Sequence, residues 1–250
     1  MINLKLRKED AYRGELILVN ERHPIRGKLQ NKLIPLMYKK NDILLHAQAA
    51  SMLTHLMREI GHDDEIAPVS GYRCAQEQED IYNGSLEDNG EDFTRKYVAL
   101  PGRSEHQTGL AIDLGENKED IDFICPDFPY TGIFAKFRNR APRYGFIERY
   151  QKGKEKITGI AHEPWHFRYV GYPHAEIIQQ MDMCLEEYIE FIKRYRFENE
   201  HFVFPHKGMA IEIFYVPAGG DYMSVEIPQG IVYQASGNNV DGFVVTLWKS

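Results

Sequence analysis

Pro164 is the residue that most limits how this chain can fold around its most polar motif. It stands in the middle of His162-Glu163-Pro164-Trp165-His166. Formally the segment fits H-E-x-x-H, a metal-binding pattern that works on a helix, where residues four apart share a face. Proline inside a helix removes a backbone hydrogen bond and clashes with the preceding turn, at about 3 kcal/mol or more. It also pushes the residue before it, here Glu163, toward extended backbone. The run that follows, WHFRYV at 165–170, alternates as a strand does. The helical metal motif is therefore rejected. Glu163 and His166 are retained as a functional pair, and His162 becomes a neighbour that is not a ligand.

Asp113 supplies the second constraint. It sits inside GLAIDLG (109–115), an apolar alternating run that reads as a strand. A carboxylate placed there is costly unless it is paired or binds a metal. His106 lies seven residues upstream, and Gly109 between them permits a tight turn. A catalytic zinc ion takes three protein ligands from His, Asp, Glu or Cys and keeps one position for water. His106, Asp113 and His166 supply two imidazoles and a carboxylate, so one Zn2+ per chain is expected. A lone histidine is more often structural than ligating. The weight comes from the combination of Ser104-Glu105-His106-Gln107-Thr108-Gly109-Leu110-Ala111-Ile112-Asp113 with the downstream Glu163 and His166. A third polar stretch, Ser70-Gly71-Tyr72-Arg73, follows a short strand-like segment at 66–70.

The rest of the chain reads as an α+β fold. ELILVN at 15–20 predicts a strand. Asn41 and Asp42 predict a cap for a helix over about 43–60, with Leu45, Ala49, Met52, Leu53 and Leu56 on its apolar face and Gly61 as its stop. A polar helix is predicted at about 75–84, and a long connection over 85–107. A helix at 130–140, a strand at 144–150 and helices at about 173–181 and 185–196 complete the main domain. Strands and helices alternate without regular βαβ spacing, which argues against a doubly wound sheet. After Arg196 the runs AIEIFYV, MSVEI, IVYQA and FVVTLW are separated by Gly- and Pro-containing turns. The boundaries expected are a catalytic domain at 1–198 and a small β appendage at 199–250. The appendage is expected to pack on the catalytic domain or on a second copy of the chain, which leaves a homodimer open, and to supply no catalytic residue.

Composition narrows the function classes. The net charge is −7, and the 30 Lys and Arg residues form no basic stripe, which speaks against a nucleic-acid partner. Three widely spaced cysteines, Cys74, Cys125 and Cys184, make neither a disulfide framework nor a structural zinc site and are expected to be reduced thiols. Charges interrupt every apolar run near the N-terminus, so no leader or membrane anchor is expected there, and the expected location is the cytoplasm.

S-x-H-x-x-G-x-A-x-D followed by E-x-x-H, with an upstream S-G-Y-R, resembles the zinc D,D-peptidases of the VanY, VanX and VanXY group, which share the Hedgehog fold. SGYR, SEHQTGLAIDLG and HEPWHFRYVG carry the resemblance, which spans roughly residues 10–195. It implies a central antiparallel sheet flanked by helices. It also implies zinc on His106, Asp113 and His166, Glu163 as catalytic acid/base, and Arg73 over the scissile carbonyl. Gln78, Tyr82, Ser104 and Trp165 match positions that line the substrate pocket. Gln78 and Tyr82 are four apart on a predicted helix and so share a face, although a solvated face explains them equally well. The resemblance is to the VanXY type, which combines dipeptidase and carboxypeptidase activity on D-Ala-D-Ala termini in glycopeptide-resistant bacteria. Two rival readings are a zinc-stabilised binding module without catalysis and a cell-wall peptidase of L,D specificity. Glu163 and Arg73 together argue against the first, because a structural zinc needs neither.

Overall fold

Four antiparallel strands carry the polar motifs. The computed structural model describes residues 1–250 except 28, 30, 31, 38–41, 62, 63, 207 and 250. In chain order the first elements are β1 (Ile2–Arg7), β2 (Leu33–Pro35), β3 (Leu44–His46), α1 (Ala47–Ile60), β4 (Ile66–Ser70), α2 (Ala75–Asn89) and α3 (Glu91–Tyr97). Next come β5 (Ala111–Glu116), α4 (Gly132–Arg140), β6 (Phe146–Tyr150), α5 (Glu155–Thr158), β7 (Glu163–Tyr169), α6 (His174–Gln180) and α7 (Leu185–Ile192). Strands β8 (Phe202–His206), β9 (Met209–Pro217), β10 (Tyr222–Ile227), β11 (Val232–Gly237) and β12 (Gly242–Lys249) follow. The chain is an α+β protein of two compact units.

The larger unit comprises Val19–Pro24 and Gln30–Cys184. Its central sheet has the order β4-β5-β7-β6, antiparallel throughout. Side chains alternate across a strand, so the registers Ala111 to Arg168 and Asp113 to His166 put these four residues on one face. Ile112 and Phe167, also in register, point to the other face. There Phe167 meets Phe128 and Phe137 edge-on, with centroids 5.3 and 4.8 Å away. In α1 the buried residues Ala49, Ala50, Leu53, Leu56, Met57 and Ile60 form the i, i+3/i+4 stripe of a helix with one packed face. Gly61 ends it at φ +63°, a conformation that favours glycine.

Pro164 lies within β7, so the extended backbone expected at Glu163 is what forms. A central strand tolerates proline poorly. Here pairing with β5 stops at His166, and the register with β6 shifts between Glu148 and Tyr150, so the ladder is already broken beside Pro164.

The smaller unit comprises Met1–Leu18, Ile25–Leu29 and Leu185–Ser250. Its sheet has the order β11-β12-β9-β8, and β10 pairs instead with the N-terminal β1. Leu6 from β1, Val225 and Ile227 from β10, and Phe214, Val245 and Leu247 from the sheet share one apolar cluster. The boundary expected at 198/199 is thereby corrected. The C-terminal strands cannot bury their apolar face alone at this size, and they recruit the first 18 residues and α7.

Three further expectations are corrected. ELILVN is buried at Leu16 to Val19 but forms no strand. Its backbone bonds go to Ser236 Oγ and Asn238 O rather than to a ladder. The helix expected from residue 43 starts at Ala47, because Leu44–His46 pairs with Leu33–Pro35 as a short strand. Asn41, half of the proposed cap, lies outside the described residues. The connection expected over 85–107 holds the end of α2, all of α3 and a short 3-10 turn at Glu105–Thr108. Among the described residues no helix is long and apolar enough to cross a membrane.

Candidate active site

The site forms where the 3-10 turn Glu105–Thr108, β5 and β7 meet. Asp113 and His166 face each other in register, with Oδ1 2.9 Å from Nδ1. His106 reaches the same carboxylate from the turn, with Nε2 3.1 Å from Oδ2. The ligand atoms of the three residues lie within 4.8 Å of one another, and all three residues are buried. Gly109 ends the turn at φ +70°, and a Cβ there would come within 2.6 Å of Leu33. The glycine expected to allow a tight turn is thus required twice over.

SGYR builds the supports. Gly71 offers its carbonyl to His106 Nδ1 at 2.7 Å, which leaves Nε2 to face Asp113. A side chain at Gly71 would meet Leu44 O at 2.5 Å, so only glycine brings that carbonyl close enough. Arg73 donates from Nη2 to Asp113 Oδ2 at 2.8 Å and from Nε to Ser70 Oγ at 2.7 Å. Ser70 is itself the register partner of Asp113.

The three groups fit a cation. Asp113 Oδ1 is buried and has no hydrogen-bond donor aligned with it, although His166 Nδ1 is only 2.9 Å away. Two imidazoles and a carboxylate are also a donor set typical of catalytic zinc. Among the protein groups alone, burial opposes the charge on Asp113, yet His106 and His166 hold its carboxyl below the usual range. Burial lowers His106 to about 4, helped by Arg73.

Glu163 borders this trio, with Oε2 3.7 Å from His166 Nδ1. Burial, reinforced by Asp113, pushes its carboxyl up to about 8. A small cleft opens over the cluster and is lined by Arg73, Gln78, Ser104, His106, Asp113, Glu163, Trp165 and His166. Gln78 is fully buried; its Nε2 donates to Ala99 O at 2.8 Å, and its Oε1 has no partner among the described residues. Tyr82 is the exception among the expected residues, because it lies on an adjoining cavity with Arg95 and Arg103. One helical turn of α2 separates it from Gln78. His162 is held by Tyr130 Oη at 2.7 Å, with Glu148 at 3.5 Å, and is not part of the ligand cluster.

Sequence reasoning missed Tyr150, whose ring lies 4.9 Å from that of His166, and the buried group Glu105, Arg149 and Arg168. Reading FIERY and WHFRYV as strands does not tell a buried charge at Arg149 or Arg168 from an exposed one.

Residues 42–172 match the family model described as VanY, D-alanyl-D-alanine carboxypeptidase. The chain belongs to that family. It is 42% identical over 179 residues to the bifunctional D-Ala-D-Ala dipeptidase and carboxypeptidase VanXYC of Enterococcus gallinarum, covering 71% of this chain and 94% of the relative. Its fold superposes with TM-score 0.96 on the vancomycin resistance D,D-dipeptidase VanXYg, solved with a D-Ala-D-Ala phosphinate analog. Identity there is 55%, with 99% of each chain covered. A VanY D,D-pentapeptidase variant solved with Zn(II) is 30% identical, with TM-score 0.58, over 70% of this chain and 98% of that one. This member of the VanY family is a zinc metallopeptidase, and among the described residues His106, Asp113 and His166 form the cluster that fits its zinc ion.

Proposed function

We propose that this enzyme hydrolyses the dipeptide D-Ala-D-Ala and removes the terminal D-alanine from peptidoglycan precursors that end in it. The observation that carries the reading is the buried His106, Asp113 and His166 trio with Glu163 at its rim, in a chain 55% identical along its length to a D,D-dipeptidase. By depleting D-Ala-D-Ala termini it would contribute to glycopeptide resistance. Those precursors are made in the cytoplasm, which is where we place the enzyme.

His106, Asp113 and His166 would hold zinc, which when bound would supply a water of lowered pKa and a Lewis acid for the scissile carbonyl. Glu163, at the rim of the trio, would accept the proton of the attacking water as the new C–O bond forms. The same carboxyl would return the proton to the amine as the C–N bond breaks. Arg73, fixed by Asp113 and Ser70, keeps Nη1 without a protein acceptor among the described residues, and its charge favours the negative charge growing on the carbonyl oxygen. Gln78 offers Oε1 to a substrate N–H, and Ser104 and Trp165 shape the wall. Tyr82 serves longer substrates that extend into the adjoining cavity. The smaller unit contributes stability or access and no reacting group.

The test is release of D-alanine from D-Ala-D-Ala and from a precursor pentapeptide, with and without a chelator. Chelator-sensitive release from both supports the reading. Cleavage of only a tetrapeptide with an L,D bond would replace it with the L,D specificity.

A further inference from the structure

The zinc ligands His106 and His166 present different nitrogens to Asp113, and the two leftover nitrogens have different surroundings. His106 turns Nε2 inward and gives Nδ1 to the Gly71 carbonyl. His166 turns Nδ1 inward, and its Nε2 is buried without a hydrogen-bond partner among the described residues. The atom that Nε2 faces is Glu105 Oε2, 3.6 Å away. That oxygen is also buried and also lacks a partner. The other oxygen of Glu105, Oε1, is taken twice: by Arg149 Nε at 2.9 Å and by Arg168 Nη1 at 2.8 Å. Glu105 is 1% exposed and both arginines are fully buried.

We propose that Glu105 is a positioning residue for zinc: its Oε2 accepts the Nε2 proton of His166 and so assigns Nδ1 as the metal-binding nitrogen. The inference rests on the zinc-site reading above. A neutral imidazole has one proton, and the nitrogen without it binds the metal. An acceptor at Nε2 therefore selects the ligating tautomer and fixes the ring plane, as carboxylates behind metal-bound histidines do. Arg149 and Arg168 both donate to Oε1, which leaves Oε2 for the ring. Arg149 also stands 4.9 Å from the centroid of Tyr150, the residue whose ring lies against His166, so the same group braces the imidazole from a second direction. The rival view makes Glu105 only a counter-ion for two buried arginines.

Glu105→Gln separates the two. Its carbonyl oxygen would stay with the arginines, because an amide N–H cannot face their donors. Its amide would then point at Nε2, setting donor against donor. Zinc affinity is measured by chelator competition on the folded variant and parent, with the metal-free melting temperature recorded separately. The expected loss of affinity is about 10–100-fold. Zinc affinity within two-fold of the parent, whatever the change in melting, overturns the proposal. Histidine-selective 15N NMR of the zinc-loaded parent provides a readout that needs no variant. A slowly exchanging proton on Nε2 of His166 is expected, and a proton on Nδ1, or none protected at Nε2, overturns the proposal. A parent that binds no zinc would instead sink the zinc-site reading.

Discussion

Asp113 and His166 are register partners on adjacent antiparallel strands, with Oδ1 and Nδ1 2.9 Å apart. Two of the three proposed metal ligands are thus set by the hydrogen-bond ladder of the sheet and not by a loop. Sites built on rigid elements hold their geometry more closely than sites on loops. Only His106 comes from a turn, and that turn is pinned by Gly71 and Gly109.

His162→Ala should keep one zinc per chain, because His162 is engaged with Tyr130 and Glu148. His106→Ala should lose it. Metal analysis of the two purified variants decides the matter, and equal loss in both would return His162 to the ligand set.

Glu163→Gln should retain zinc and lose turnover by about 10²–10⁴-fold, the range typical of a missing general base. The same variant carries a pH signature in metal-free protein. Burial raises this carboxyl from 4.5 to about 8 in the fold. Between those values the unfolded chain releases a proton that the folded chain keeps, so the group costs the fold stability as pH rises. Metal-free Glu163→Gln should therefore melt above the parent at pH 8, with the gap closing below pH 4.5. Parallel melting curves across that window would show that Glu163 ionises normally.

Arg73→Ala should lower kcat more than it raises KM, by about 10²–10³-fold, as for loss of a group that stabilises developing charge. A rise in KM alone would make Arg73 a substrate anchor. Since Arg73 also pairs with the buried Asp113, zinc content should be measured alongside, so that loss of metal is not mistaken for loss of catalysis.

Gln78→Ala should raise KM for D-Ala-D-Ala by about ten-fold, equivalent to about 1.4 kcal/mol. Tyr82→Ala should leave dipeptide turnover unchanged and weaken turnover of a pentapeptide, because Tyr82 lines the adjoining cavity. Steady-state kinetics on both substrates check this. A matching defect on the dipeptide would put Tyr82 in the metal pocket.

The ligands were legible for a physical reason. Asp113 breaks the apolar pattern of its strand, and Pro164 forbids the one rival backbone for His166. Glu105 was not legible, although it adjoins His106. In sequence, a glutamate in a polar turn and arginines in alternating strands all read as surface charge. What buries them is the meeting of the turn with β6 and β7, which is tertiary. The same limit explains residues 15–20 and β1. Their apolar character was plain, but burial of ELILVN is satisfied by bonds to Ser236 and Asn238, and β1 finds β10 more than 200 residues away. Nothing local marks such partners.

The most direct test of the zinc D,D-peptidase account is a titration. Metal-free protein is reconstituted with increasing zinc, and D-alanine release from D-Ala-D-Ala is followed at each step. Activity should rise from near zero and level off at one zinc per chain, and Asp113→Ala should stay flat throughout. Full activity without metal, or equal reconstitution of the Asp113→Ala variant, would contradict the account.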